Sequence, residues 1–281
     1  MEEITMNLRL LHIFRNTPFG REVFLQSLYF CIHTGTLPAV FIPVTRQFLM
    51  YFKSNVVTVD LDHAFLRSPE TAHQHAEEII KSASFKPDFL EPESYTAGSI
   101  PVLPVDFRFM ICPRSISDLS TKIGLGYIAP KVRSIIQNSS FPILIPSTVY
   151  KEWKSITVFF GGSDNAIKAL ELGLEIKHHS GFPLQVFTQA EHQPQSHYRD
   201  ILGENDLYES IEKKEIQWWF YDKGELQENL YDVPHDSLVV VGAYGHGLVK
   251  RLLFGSKAEL LQTVLPNNLL IVGPHYVSPE S

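Results

Sequence analysis

Basic character is what this 281-residue chain most lacks: 24 lysines and arginines face 31 acidic residues, for a formal charge of -7 and a pI near 5.9. A partner gripped by neutralising a polymer's phosphates would need the opposite balance, so nucleic acid is not expected. Cysteine is nearly absent as well. Cys31 and Cys112 stand far apart with no CxxC spacing, which argues against a disulfide framework or zinc ribbon and makes the reduced cytoplasm the expected compartment. No run approaches the roughly 20 apolar residues of a membrane span. Met1-Glu2-Glu3 opens no basic and then apolar leader, so neither secretion nor membrane insertion is expected. Glycine (16) and proline (18) are too few for disorder, and 44% apolar with 20% charged residues is an ordinary globular balance.

What is present is size and a faint repetition. The length suits two domains of about 140 residues better than one. Residues 8 to 42 read as an apolar strand (Leu8 to Phe14), a turn, a helix-period segment (Arg21 to His33), Gly35 and a second strand (Ala39 to Ile42). Residues 154 to 188 repeat that order with Ile156 to Phe160, Gly161-Gly162-Ser163, the stripe Ala166, Ala169, Leu170 and Gly173, then Gly181 and Leu184 to Phe187. One offset of 146 positions aligns Thr34-Gly35 with Ser180-Gly181, Thr17 with Ser163 and Leu28 with Leu174. Thr17-Pro18 and Ser163-Asp164 supply helix starts, and Gly35 and Gly181 supply stops.

Each copy continues with a polar helical stretch, Pro69 to Ser82 and Tyr198 to Lys214, followed by an apolar strand behind an aspartate, Phe107 to Ile111 and Leu238 to Val241. Each closes on another, Ile143 to Ile145 and Leu269 to Val272. Short apolar strands alternating with helices predict parallel sheets covered on both faces. The expected fold is therefore α/β, two tandem doubly wound Rossmann-like domains, each with a mostly parallel five-stranded sheet. The expected boundaries are 1–148 and 149–281, joined near Pro146 to Lys151.

The most informative segment leaves a buried strand at Gly242 and starts a helix near Ser256: Gly242-Ala243-Tyr244-Gly245-His246-Gly247, then Gly255-Ser256-Lys257-Ala258. Glycine lets backbone approach a ligand closely, and a helix N-terminus offers unpaired N–H groups to an anion. Ligands of open parallel sheets gather beyond the strands' carboxyl ends at the switch point, which would set Gly161-Gly162-Ser163 opposite Gly242 to Gly247.

The spacing Gly242-x2-Gly245-x9-Gly255-Ser256 resembles the nucleotide-binding signature of the universal stress proteins, and Ile156 to Gly181 is similar to that family's opening strand and helix. The resemblance implies a stress-response or regulatory protein holding an adenine nucleotide, ATP or else ADP or AMP, with Mg²⁺ as a companion. Gly242, Ala243, Gly245, Gly255, Ser256, Lys257 and Ala258 would line ribose and phosphates, and Gly161, Gly162 and Ser163 would lie near the adenosine. It also implies contact through last strands, made here within one chain as a pseudo-dimer, with a homodimer or a protein partner as further options. It implies no chemical transformation beyond slow ATP hydrolysis at most.

Two departures stand out. The family's usual aspartate in the first turn is Gly161, and its frequent proline two residues earlier is Phe159. In the N-terminal half, Cys112-Pro113-Arg114-Ser115 replaces the first glycine turn and Ala129-Pro130 the Gly-Ser, so that half is expected to have lost its phosphate cradle.

Other readings of the same residues stay open. The glycines serve tight turns in any α/β fold, and Ser163 and Ser256 are plain helix caps on a structural reading. His246 lacks a partner spacing for acid–base work, and His178-His179, His192 and His197 lack metal-ligand spacing. Lys250 and Arg251 suit either phosphate pairing or a solvated turn, Arg108 an ion pair, and Trp218-Trp219 core or interface. An interaction protein of the same fold that binds no nucleotide is the alternative function.

Overall fold

The computed structural model describes residues 8–53, 55–116, 128–147, 149–190, 193–213, 216–243 and 265–278. The chain opens with β1 (Arg9–Ile13), α1 (Pro18–Thr34) and β2 (Leu37–Phe41). The Thr17 hydroxyl oxygen accepts from Gly20 N, Pro18 fills the first helical turn, and Gly35 ends the helix at φ 66°. A hairpin follows, β3 (Gln47–Phe52) and β4 (Asn55–Asp60), then α2 (Pro69–Ser82), β5 (Ser94–Tyr95), β6 (Pro101–Leu103), β7 (Phe109–Ile111), α3 (Pro130–Asn138) and β8 (Ile143–Ile145).

The second half begins with the repeated unit, β9 (Ser155–Phe159), α4 (Asp164–Ser180) and β10 (Leu184–Gln189). Ser163 caps α4 by accepting from Ala166 N, and Gly181 stops it at φ 71°. Then come α5 (Gln195–Glu204), α6 (Tyr208–Lys213), β11 (Gln217–Tyr221), α7 (Leu226–Asn229), β12 (Ser237–Gly242) and β13 (Asn268–Val272). None of the described helices is long and apolar enough to cross a membrane.

The two halves share one nine-stranded sheet, ordered β11-β10-β9-β12-β13-β8-β7-β1-β2. Its pairs are parallel except at the middle, where β13 and β8 run antiparallel through Leu269 and Ile145, Leu270 and Leu144, Ile271 and Ile143. In each half's own numbering the order is 3-2-1-4-5 followed by 5-4-1-2, with an approximate two-fold relation at the central pair. The C-terminal half contributes the expected five strands; the N-terminal half contributes four.

Its third position is taken by a single bridge, Val40 with Phe89. Pro87 and Pro92 bracket that bridge and have no N–H to extend a ladder. The intervening chain forms a separate sheet instead, β4-β3-β6-β5.

The central strands are apolar along their whole length because both faces are covered. Ile156, Val158, Leu238, Val240 and Leu270 pack with Ala169 and Leu170 of α4 on one face. Phe159, Phe187, Val239, Val241 and Ile271 face the other way, with Leu226 and Leu230. A Cβ on Gly173 would stand 2.5 Å from the Val158 side chain, so glycine there lets α4 lie close on β9. The Arg108 guanidinium, which lies just before β7, donates to the Glu175 carboxylate of α4 and, at 3.2 Å, to the Tyr276 hydroxyl, tying one half to the other.

Candidate functional site

The carboxyl ends of β9 and β12 lie side by side, since these strands pair in parallel from Ser155 with Ser237 to Phe159 with Val241. This is the point where the strand order of the C-terminal half reverses, the position at which open parallel sheets characteristically bind ligands. On one side is the turn Gly161-Gly162-Ser163 and the start of α4; on the other are Gly242 and Ala243. The Asn165 side-chain amide donates to Ala243 O and fixes one wall to the other.

The five described candidate positions divide by what their backbone does. Gly161 is exposed, and a Cβ there would meet no atom within 4 Å. Gly162 sits at φ 75° beneath Tyr198 and Ile201 of α5, with a Cβ only 2.9 Å from Ile201 Cδ1. Among the described residues, the amides of Gly161, Gly162 and Ser163 have no hydrogen-bond acceptor, which leaves three donors at the helix start for an anion. The Ser163 side-chain oxygen, in contrast, is engaged at 3.3 Å by Ala166 N.

Gly242 is demanded by packing. A Cβ there would stand 2.2 Å from Asn165 O and 2.7 Å from Ala166 N, so only glycine lets β12 end against the first turn of α4. Ala243 donates its N–H to Val272 O at 2.8 Å and receives Asn165 on its carbonyl. It therefore forms wall and offers no amide. Gly245, Gly255, Ser256, Lys257 and Ala258, together with His246, Lys250 and Arg251, lie outside the described residues.

Sequence reasoning missed Asn165 and a second carboxamide pair, in which Asn229 Nδ2 donates to Gln189 Oε1 at 2.6 Å at the end of β10. None of Asn165, Asn229 and Gln189 belongs to an apolar period or a glycine motif, so no local signal marked them. Among the described residues no group of three or more His, Cys, Asp or Glu that could hold a metal ion occurs; His192 lies outside them. Trp218 donates to Thr188 Oγ1 at 3.0 Å and is half-buried against one core face, while Trp219 packs against the other.

The corresponding crevice of the N-terminal half, between β1 and β7, is bridged by the segment that follows β4. Arg15, just past β1, pairs with Asp62 at 2.9 Å, and the Asp62 amide donates to Ile116 O, just past β7. The Arg15 guanidinium lies over the Phe65 ring, 5.2 Å from its centroid. Asn16 is held in turn by Thr71 and His75 of α2. The cavity left among His12, Arg15, Phe19 and Phe65 is about 10 Å³, room for about one water. His12 closes its inner end, with Nδ1 on Ser27 Oγ at 2.7 Å and Nε2 without a partner. Burial alone lowers its pKa to about 3, so the ring is neutral.

Similarity to solved structures defines the fold. A universal stress protein from Archaeoglobus fulgidus DSM 4304 superposes with a TM-score of 0.63 at 15% identity, covering 95% of this chain and 98% of that one. Two Pseudomonas aeruginosa proteins give 0.54 over 96% of this chain and 94% of theirs: a candidate universal stress protein from UCBPP-PA14 at 10% identity and a functionally unknown protein from PAO1 at 9%. The chain thus has the universal stress protein fold, and the likeness runs through both halves. No protein-family model matches it, and no curated protein matches it in sequence.

Proposed function

We propose that this is a regulatory protein of the stress-response kind that binds ATP, with ADP or AMP as weaker occupants, in the crevice between β9 and β12. One observation carries the reading: at the switch point, the amides of Gly161, Gly162 and Ser163 have no acceptor among the described residues, while the matching crevice of the other half is bridged by Arg15 and Asp62. Gly161, Gly162 and Ser163 would supply donors from the α4 side. Gly245, Gly255, Ser256 and Lys257 would supply the phosphate grip from the β12 side, with Mg²⁺ balancing phosphate charge. The proposed role is binding, read out by a change of partner, and assigns no residue to chemistry.

Calorimetric titration of the full chain with MgATP tests this. Gly161→Asp restores the side chain the family resemblance leads one to expect, in space that is open. Its affinity should exceed wild type by about tenfold, equivalent to about 1.4 kcal/mol, whereas Gly245→Val should lose most binding. Absence of binding by both wild type and Gly161→Asp, with the fold intact, would overturn the proposal. The missing aspartate itself favours the second reading, a partner-recruiting protein of this fold that binds no nucleotide, and that result would support it.

A further inference from the structure

Besides its two switch points, the nine-stranded sheet has a place where parallel chains part at its β2 edge. Val40 of β2 pairs with the segment around Phe89 through Val40 N to Asp88 O and Leu90 N to Val40 O, at 2.9 and 2.8 Å. Beyond this bridge β2 runs on through Phe41 and Ile42, while the other chain turns away at Glu91-Pro92 toward β5. The space between them is a cavity of about 240 Å³, floored by Val40 and Phe41 and walled by Phe89, Tyr95 and the start of α2. In the C-terminal half the full-length strand β11 occupies the equivalent position beside β10. The cavity exists because the N-terminal half withdrew its third strand into the small sheet.

The lining has a definite chemistry. Its walls include the rings of Phe41, Phe89, Tyr95 and His73 and three prolines, Pro69, Pro92 and Pro101. His73 and Phe89 are stacked, 3.8 Å between centroids and 28° between planes, so a flat ring surface already stands in the pocket. Proline walls lose no side-chain entropy when a ligand docks. Glu91 is the only carboxylate in the lining, and no lysine or arginine accompanies it. The first turn of α2 adds another acid, Glu70. Aromatic faces attract cations as well as flat apolar rings.

We propose that this cavity binds a small planar aromatic molecule bearing an ammonium group, the ring lying among Phe41, Phe89 and Tyr95 and the cation facing Glu91. The site is at the far edge of the sheet from the β9/β12 crevice, and it stands or falls independently of nucleotide binding.

The test is a heteronuclear NMR titration of the isotope-labelled full chain with three probes that share one ring: tryptamine, indole and indole-3-acetate. Saturable shifts should map to residues 40–44, 73 and 89–95, and tryptamine should bind about fivefold or more tighter than indole-3-acetate. Glu91 is exposed, so Glu91→Gln leaves the fold intact. That variant should erase the preference for tryptamine while keeping indole. Val44, 72% exposed at the mouth, also tolerates substitution. Val44→Trp should abolish binding of all three probes. No saturable shifts in these segments, equal binding of cationic and anionic probes, or a tryptamine preference that survives Glu91→Gln would each overturn the proposal.

Discussion

A Cβ added to Gly161 would touch nothing within 4 Å, while one added to Gly242 would strike Asn165 O at 2.2 Å. Both glycines stood in the sequence as ligand-facing candidates, yet only the first is free to serve that purpose alone. Sequence marks where backbone comes close to something; whether that something is a ligand or a neighbouring helix depends on contacts from 78 positions away, such as Asn165 with Ala243. The caps were legible for the opposite reason. Thr17, Ser163, Gly35 and Gly181 act on bonds within three or four residues, and each does what its residue type implies.

His12 had no signal at all in an apolar strand. Its buried neutral ring carries a pH consequence. Burial lowers the folded pKa to about 3 from an ordinary value of 6.5, so between those limits the unfolded chain binds the extra proton and stability falls as pH falls. From pH 7 to pH 5 this one group should cost about 2 kcal/mol. Urea unfolding of wild type and His12→Leu at both pH values isolates it from the carboxylates: the variant should lose about 2 kcal/mol less on acidification. Equal losses would show that His12 is protonated or solvated in the fold.

Among elements, the repeat predicted β1, α1 and β2 and their partners β9, α4 and β10, because strand period, helix period and punctuation agreed in both copies. It did not reveal that the N-terminal third strand leaves the sheet. That outcome depends on two prolines limiting a ladder to one bridge and on a hairpin, β3 and β4, that buries Phe48, Met50, Val57 and Val59 elsewhere. Nor did it place residues 61 to 66 across the N-terminal crevice, where Asp62 pairs with Arg15 and donates its amide to Ile116 O.

Arg108 joins the elements of the two halves. Its side chain is 4% exposed and donates to Glu175, which is 33% exposed, and to Tyr276. Breaking a buried pair costs about 3–5 kcal/mol, and water reaching Glu175 reduces that. Arg108→Met should therefore destabilise the chain by about 2–3 kcal/mol in urea unfolding, and Arg108→Lys, which lacks the planar fork that reaches both partners, should recover only part of it. A loss below about 0.5 kcal/mol would mean the halves are held by β8 and β13 without this link.

At the scale of the whole molecule, the antiparallel pairing of β8 with β13 sets two similar but unequal units back to back in one sheet. One has an exposed turn at Gly161 whose amides find no acceptor among the described residues; in the other, Arg15 and Asp62 bridge the crevice and a cavity of about 10 Å³ remains beside Arg15 and Phe65. The size of the chain and its alternation of strands and helices made the doubled α/β plan readable in advance. The merging of the two sheets through their last strands was implied only by the family resemblance, because an edge-to-edge pairing of short apolar strands leaves no mark in the pattern that distinguishes it from burial under a helix.

On the proposed function this asymmetry leaves room for one nucleotide per chain, and native mass spectrometry of the intact chain in MgATP tests that number directly. The account predicts a single ATP adduct per chain, enhanced in Gly161→Asp and removed in Gly245→Val. No adduct in any of the three, or two adducts per chain, would contradict it.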